Sequence, residues 1–294
     1  MLFSKNTSSG MGWSTPATIP PKVLFKDFNK STKDLLTKNF SAPGSWKVES
    51  KFKGVKDALF VNPQATSDGA ISVDAEYALS KHPVSAKLNL SPHFQDNAKL
   101  TLSWADKGHK LESVLHKKKG NVVDYEITHE ASGAVKFLTT HEKITQKAVE
   151  VGVGVEVVPN CFLGAGSVYK LKERNYEWSA GCRWADKGYE VALFTKHNKV
   201  HTANVVLPIN FNFGDRRMWT QIAAETSYNT SKKVLNYTVG VSADCPVFNM
   251  NFMKAKFDQN LKWVIAYVMR TENNWEVSVS IDKDLRCGVL LSHS

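Results

Sequence analysis

The sequence predicts an all-β fold with one amphipathic helix at its N-terminal end. Three observations lead there. From Ser45 onward, short runs alternate apolar and polar residues. Turn-forming residues break those runs at regular intervals. Only Lys22–Phe40 departs from the period of two, and it does so with helical spacing.

In Ile71–Leu79, Ile71, Val73, Ala75, Tyr77 and Leu79 alternate with Ser72, Asp74, Glu76 and Ala78. Successive strand side chains point to opposite faces, so one face is apolar and the other wet. The same pattern returns in Ala98–Ala105, Lys147–Val157, Arg174–Trp184, Leu261–Met269, Trp275–Ile281 and Leu285–Leu291. A sheet with one apolar face throughout either stacks on a second sheet or closes and shows that face to lipid. Turns are expected at Asp68-Gly69, Asp106-Lys107-Gly108, Lys119-Gly120-Asn121, Ser132-Gly133, Asp186-Lys187-Gly188, Gly214-Asp215 and Asn273-Asn274. A spanning strand needs ~9–11 residues, so the length after the helix holds roughly 18–19 strands. Trp104-Ala105-Asp106-Lys107-Gly108 recurs as Trp184-Ala185-Asp186-Lys187-Gly188. Tryptophan beside a turn suits a membrane interface. Trp46, Trp178, Trp263 and Trp275 add to that expected girdle, which favours closure over stacking.

The helix is expected to follow Pro20-Pro21, to run about five turns at 3.6 residues each, and to stop at Ser41-Ala42-Pro43-Gly44. Leu24, Phe28 and Leu35 fall at i, i+4 and i+11, while Lys22, Lys26, Lys30 and Lys33 lie near the opposite side. The organisation expected is a flexible tail over 1–19, a helix and linker over 20–44, and a barrel over 45–294. Met1–Pro20 lacks the continuous apolar core of a secretory signal, which suits an organelle outer membrane supplied from the cytosol.

The net charge is +10, with a pI of about 9.3. Such a balance suits nucleic acid, an acidic membrane surface or a passage for anions. The charge is spread over many strands and no nucleic-acid motif accompanies it, so no nucleic-acid partner is expected. Cys161, Cys182, Cys245 and Cys287 form no CxxC pair and are expected as free thiols. No GxSxG, Walker loop or HExxH occurs. Gly152-Val153-Gly154 and Gly164-Ala165-Gly166 are strand glycines with no helix following to make a phosphate loop. Neither catalysis, nor a metal, nor a cofactor is expected.

The segment Phe25–Phe40 has Asp27, Lys30, Ser31, Lys33, Asp34, Leu35, Leu36, Thr37, Lys38 and Phe40 at the positions of a family pattern. It resembles the N-terminal helix of the mitochondrial voltage-dependent anion channels, or mitochondrial porins. Near the other end, Ala255-Lys256-Phe257-Asp258-Gln259 with Ile265 and Tyr267 resembles the latter half of the eukaryotic porin signature, and Asp244-Cys245 its first half at a stretched spacing. There is no clear counterpart of that family's Gly-Leu-Lys motif.

The resemblance implies an all-β membrane protein, a closed 19-stranded transmembrane barrel with the helix inside the pore and one parallel pair between the first and last strands. It implies a voltage-gated, weakly anion-selective pore for ATP, ADP, phosphate and small metabolites in the mitochondrial outer membrane. Membrane lipids, permeant nucleotides and metabolite anions, further copies of the chain or other outer-membrane proteins would be its partners. Joined to the charge pattern, it makes Lys26, Lys30, Lys33, Lys38, Lys87, Lys99, Arg183, Lys262 and Arg286 the expected pore-lining charges, with Lys47 a further candidate. Leu24, Phe28 and Leu35 are expected to pack the helix on the wall. Asp74 and Glu76 are expected to face inward. The alternatives are a barrel of the same superfamily that imports polypeptides, or one with an accessory or structural role; a soluble sandwich is the reading if the apolar faces stack on each other.

Overall fold

A computed structural model describes residues 23–54, 58–79, 82–91, 97–118, 122–135, 137–214, 216–245 and 251–293. The expected tail over 1–19, Pro20-Pro21, Lys22, the Lys119-Gly120-Asn121 turn and Asp215 lie outside the described residues.

The alternating runs form one continuous sheet of twenty strand segments. The first half comprises β1 (Trp46–Ser50), β2 (Phe52–Lys53), β3 (Leu59–Thr66), β4 (Ile71–Ala78), β5 (Val84–Leu90), β6 (Asn97–Asp106), β7 (His109–Lys118), β8 (Val122–Val135), β9 (Leu138–Thr145) and β10 (Ala148–Val158). The second half comprises β11 (Cys161–Lys170), β12 (Asn175–Asp186), β13 (Tyr189–Lys196), β14 (Val200–Phe213), β15 (Arg216–Asn229), β16 (Val234–Asp244), β17 (Phe252–Asp258), β18 (Trp263–Arg270), β19 (Trp275–Asp282) and β20 (Cys287–His293). Both β1 and β2 pair with β3, with only Lys51 between them, so they are two parts of one strand and the wall has 19 strands. Consecutive strands pair antiparallel. The ring closes where β1 meets β20 in parallel, from Trp46 opposite Val289 to Ser50 opposite His293. An odd number of strands joined by hairpins leaves the first and last running the same way. Closure pairs the edges that hydrocarbon cannot hydrogen-bond.

The expected turns explain the hairpins. Lys107 and Gly108 both have positive φ (47° and 83°), as do Lys187 and Gly188 (48° and 90°). Positive φ at both central residues is the type I′ geometry that matches strand twist, and glycine adopts it without strain. The repeated Trp-Ala-Asp-Lys-Gly pentapeptide is therefore one hairpin solution used twice. Ser132-Gly133 is not a turn. It lies inside β8, where pairing with β9 shifts register between Ser132 and Val135, and the chain reverses after Val135. Two glycine-turn residues mark a bulge as readily as a reversal.

The two faces differ as the alternation requires. Val151, Val153, Leu163, Trp184, Leu193, Ile265 and Val289 are among the exposed large apolar side chains and share the outer face. Trp46, Trp104, Trp184 and Trp263 are exposed on it near strand ends. Cys161 and Cys182 pair opposite Trp184 and Leu163 on that same face, and Cys161, Cys182 and Cys287 are free thiols. The other face carries Asp74 and Glu76, opposite Asn89 and Lys87, and it is the face the N-terminal segment touches.

The helix is shorter than expected and interrupted. A 3₁₀ turn, Phe25–Asp27, precedes an α-helix, α1 (Lys30–Thr37). Asn29 between them leaves helical geometry at φ −111°, ψ 16°. Lys38 is extended and Asn39 has a φ of 65°. Wall packing accounts for the break. Phe25 and Phe28 both turn onto β11–β13, and Leu35 and Leu36 turn onto β14–β16. One straight helix cannot follow a curved wall over that distance.

Candidate functional site: the lumenal helix and its wall

The N-terminal segment starts on one sector of the inner wall and ends on another. The 3₁₀ turn rests on β9, β10 and β11, whereas the chain after α1 reaches β19. Between them it touches β13, β14–β16 and β17, so it follows the inner wall round the lumen.

Its first anchor is aromatic. Phe25 and Phe28 meet edge to face with ring centroids 5.3 Å apart, and Phe28 lies 6.2 Å from both Phe162 and Phe194. Phe28 is fully buried and Leu24 is buried, as expected. The seat beneath Phe25 is made of glycine. A Cβ added at Gly164 would lie 2.9 Å from Phe25 Cγ, and one at Gly166 would lie 3.0 Å from Cε1. Gly152 and Gly154 complete the seat, with Thr139 Oγ1 donating to the carbonyl of Val23 at 3.2 Å. The sequence shows these glycines, but their role rests on close approach of another element, which Gly-x-Gly pairs on consecutive strands can signal.

The second anchor is ionic. Arg183 Nη2 meets Glu190 Oε2 at 2.9 Å, and the Ser31 hydroxyl donates to the same oxygen at 2.7 Å. Arg183 stands 2% exposed beside the Phe162 ring. It faces inward as expected but is sealed from the lumen water. Thr32 and Asn204 are buried with it.

The third anchor holds the helix end. Leu35, as expected, packs with Leu36, Val206 and Ala223. The final carbonyls of an α-helix lack internal partners. Lys254 donates to the carbonyl of Lys38 at 2.7 Å, and Lys256 to that of Leu36 at 2.9 Å. Both ammonium groups also stand over the Phe40 ring, at 5.0 and 4.3 Å. Cations at a helix C-terminus oppose its negative dipole end. Beyond α1, the Ser278 hydroxyl donates to the carbonyl of Asn39, and the Ser41 amide donates to Ser280 Oγ at 3.0 Å. Lys254 and Lys256 were absent from the expected site, although they fall on the polar side of a dyad strand beside the porin-like motif.

The remaining expected charges divide into three groups. Lys30 and Lys33 are exposed on the lumenal side of α1, with no ion pair among the described residues. Lys99 faces inward opposite Asn89 and His116, at a recess of about 350 Å³ shared with Asp124 and Lys147. A second group faces inward in pairs. Lys26 binds Glu130, Lys87 lies 2.6 Å from Asp74, Lys38 lies 2.7 Å from Asp34, and Lys47 binds Glu49. Lys26 projects into a polar recess of about 330 Å³ lined by Lys110, Glu112, Glu126, Glu130, His141 and Lys143. The third group is at the rim. Lys262 is exposed in the turn between β17 and β18, and Arg286 is in the turn between β19 and β20, paired with Asp282 and Asp284.

No family model matches the chain, and no curated protein matches it. The structure itself shows a large closed β-barrel compatible with a channel-type pore.

Proposed function

We propose that this chain is a voltage-gated, weakly anion-selective diffusion pore of the mitochondrial porin type, passing ATP, ADP, phosphate and small metabolites across the mitochondrial outer membrane. The observation that carries the reading is a lysine-bearing helix laid on the inner wall of a 19-strand barrel, with Lys30 and Lys33 exposed and in no ion pair among the described residues. Fixed cations in a narrow water path lower the energy of an entering anion and raise that of a cation. The lumenal Lys99 works in the same direction. The resemblance of Phe25–Phe40 to the porin helix supports both the family and the membrane.

Conductance of the purified chain in a planar bilayer under a KCl gradient tests this. The expected reversal potential has the sign of chloride preference. Lys30→Glu with Lys33→Glu should move it toward cation preference while leaving the folded barrel intact. An unchanged reversal potential would remove the helix from the ion path. Absence of conductance would turn the reading to an accessory barrel.

A further inference from the structure

One sector of the outer wall is hollowed beneath a concentration of positive charge. Cys182, Leu193, Ala203 and Thr226 stand opposite one another on the outer face of β12–β15. The next row toward the rim is Ala180, Thr195, His201 and Tyr228. The small Ala180 and Ala203 leave an open groove of about 560 Å³ among Leu163, Leu193 and Tyr228. Thr195 Oγ1 is buried there with no hydrogen-bond partner among the described residues. Thr195 and Tyr228 each stand one residue before the end of their strands, so the groove runs from the hydrocarbon up to the turns. Trp178 marks the same rim, its ring edge-on to that of His197 at 6.1 Å, at the level where tryptophan anchors a membrane protein.

The turns at this rim after β11, β13 and β15 carry Lys172, Arg174, Lys199, Lys232 and Lys233. All five are exposed and in no ion pair among the described residues. Glu173 is the one carboxylate on these turns, and Lys170 holds it at 3.4 Å. The other rim differs. There the turn after β10 is the uncharged Pro159-Asn160, and the turn after β12 sets Asp186 beside Lys187. Unneutralised lysines at the edge of a bilayer attract anionic headgroups. A buried hydroxyl without a partner costs free energy until an acceptor reaches it. From the hydrocarbon outward, the groove thus offers Leu163 and Leu193, then Thr195, His201 and Tyr228, then bare cations. That is the order of acyl chain, ester and phosphate in a phospholipid.

We propose that this groove seats one anionic phospholipid, its acyl chain against Leu163, Leu193 and Ala203 and its phosphate under Lys199, Lys232 and Lys233. The hydroxyls of Thr195 and Tyr228 donate to the ester carbonyls between them. Charge selects this occupant over the others. A second copy related by a twofold axis along the membrane normal would set these lysines against their own counterparts. A sterol has no charge for them to meet, and free phosphate would leave the apolar hollow unused. This inference rests on the barrel's membrane setting and is independent of what the pore passes.

The test uses the purified full chain in vesicles of phosphatidylcholine with a minor share of phosphatidylglycerol. A photo-cross-linking phenylalanine analogue replaces Tyr228 or, as control, Tyr189, which is exposed on the outer face at the opposite rim. Mass spectrometry reads the ratio of the two lipids among the adducts against the composition of the vesicle. Position 228 should enrich phosphatidylglycerol about tenfold, and position 189 should match the vesicle. Lys199→Gln with Lys232→Gln and Lys233→Gln should abolish the enrichment. Ala203→Trp, which fills the hollow and keeps the charges, should abolish most of it, with the barrel's circular dichroism unchanged. Equal ratios at the two positions, or enrichment that survives the lysine changes, would overturn the proposal. So would enrichment that survives Ala203→Trp or is erased by excess glycerol phosphate, since either would reduce the site to surface charge. Adducts to a second copy of the chain in place of lipid would overturn it too. The comparison of positions 228 and 189 keeps the lysines and Ala203, so it stands even where a variant misfolds, and an absence of conductance leaves it untouched.

Discussion

At Gly164 the wall has no side chain because Phe25 occupies the space. Valine there would overlap the ring, and backbone strands do not shift cheaply. Gly164→Val is expected to destabilise docking of the N-terminal segment by ~1–3 kcal/mol, the usual cost of overpacking. A nitroxide at Lys33 should then report a mobile helix, while the same change at Gly69, in an open turn, should leave it immobile. Charge at single positions was only half legible in the sequence. Alternation placed Lys87, Lys99 and Arg183 on the inner face. It could not show that Arg183 is buried with Glu190 beneath Ser31, since Glu190 becomes its neighbour only through hairpin pairing and the helix arrives from far along the chain. Lys262 and Arg286 looked lumenal because alternation was carried into turns, where it has no meaning.

At the scale of the element, α1 is an eight-residue helix that would not persist alone in water. The wall supplies its stability, and its last turn is held by Lys254 and Lys256. Lys254→Met keeps the stem and removes the donor. The lost hydrogen bond is worth roughly 1.5–3 kcal/mol as a charged one, so amide exchange over residues 33–38 should speed by about tenfold or more, with the strands unaffected. Exchange that stays at the original rate would show that Leu35 and Leu36 hold the helix without the cap. The buried positions Leu24, Phe28, Thr32, Leu35 and Leu36 keep helical spacing, which is why the amphipathic face was legible although the break at Asn29 was not. The break answers the curvature of the barrel, a property of nineteen strands together.

For the whole molecule, the local period of two forecast the strands, their two faces and most turns. Closure was not written in any one segment. It rests on the parallel contact of β1 with β20, sequence-distant strands whose register shows no local signal. Val289 donates its amide to the carbonyl of Ser45 at 2.9 Å on that seam. Proline lacks the donor and is excluded from central strands. Val289→Pro should leave the hairpins able to form but unseal the ring, giving a chain that aggregates in detergent and carries no current. A proline variant with the parent's thermal unfolding would show that the β1–β20 seam contributes little.

The central claim is that one self-closing wall separates hydrocarbon outside from water inside. Nitroxides at Val151, Val153 and Val155, on the outer face of β10, and at Thr101 and Thr128, on the inner faces of β6 and β8, test it in vesicles. The outer set should relax faster with dissolved oxygen and the inner set with a water-soluble nickel chelate. Equal response of both sets to either relaxant would contradict the account.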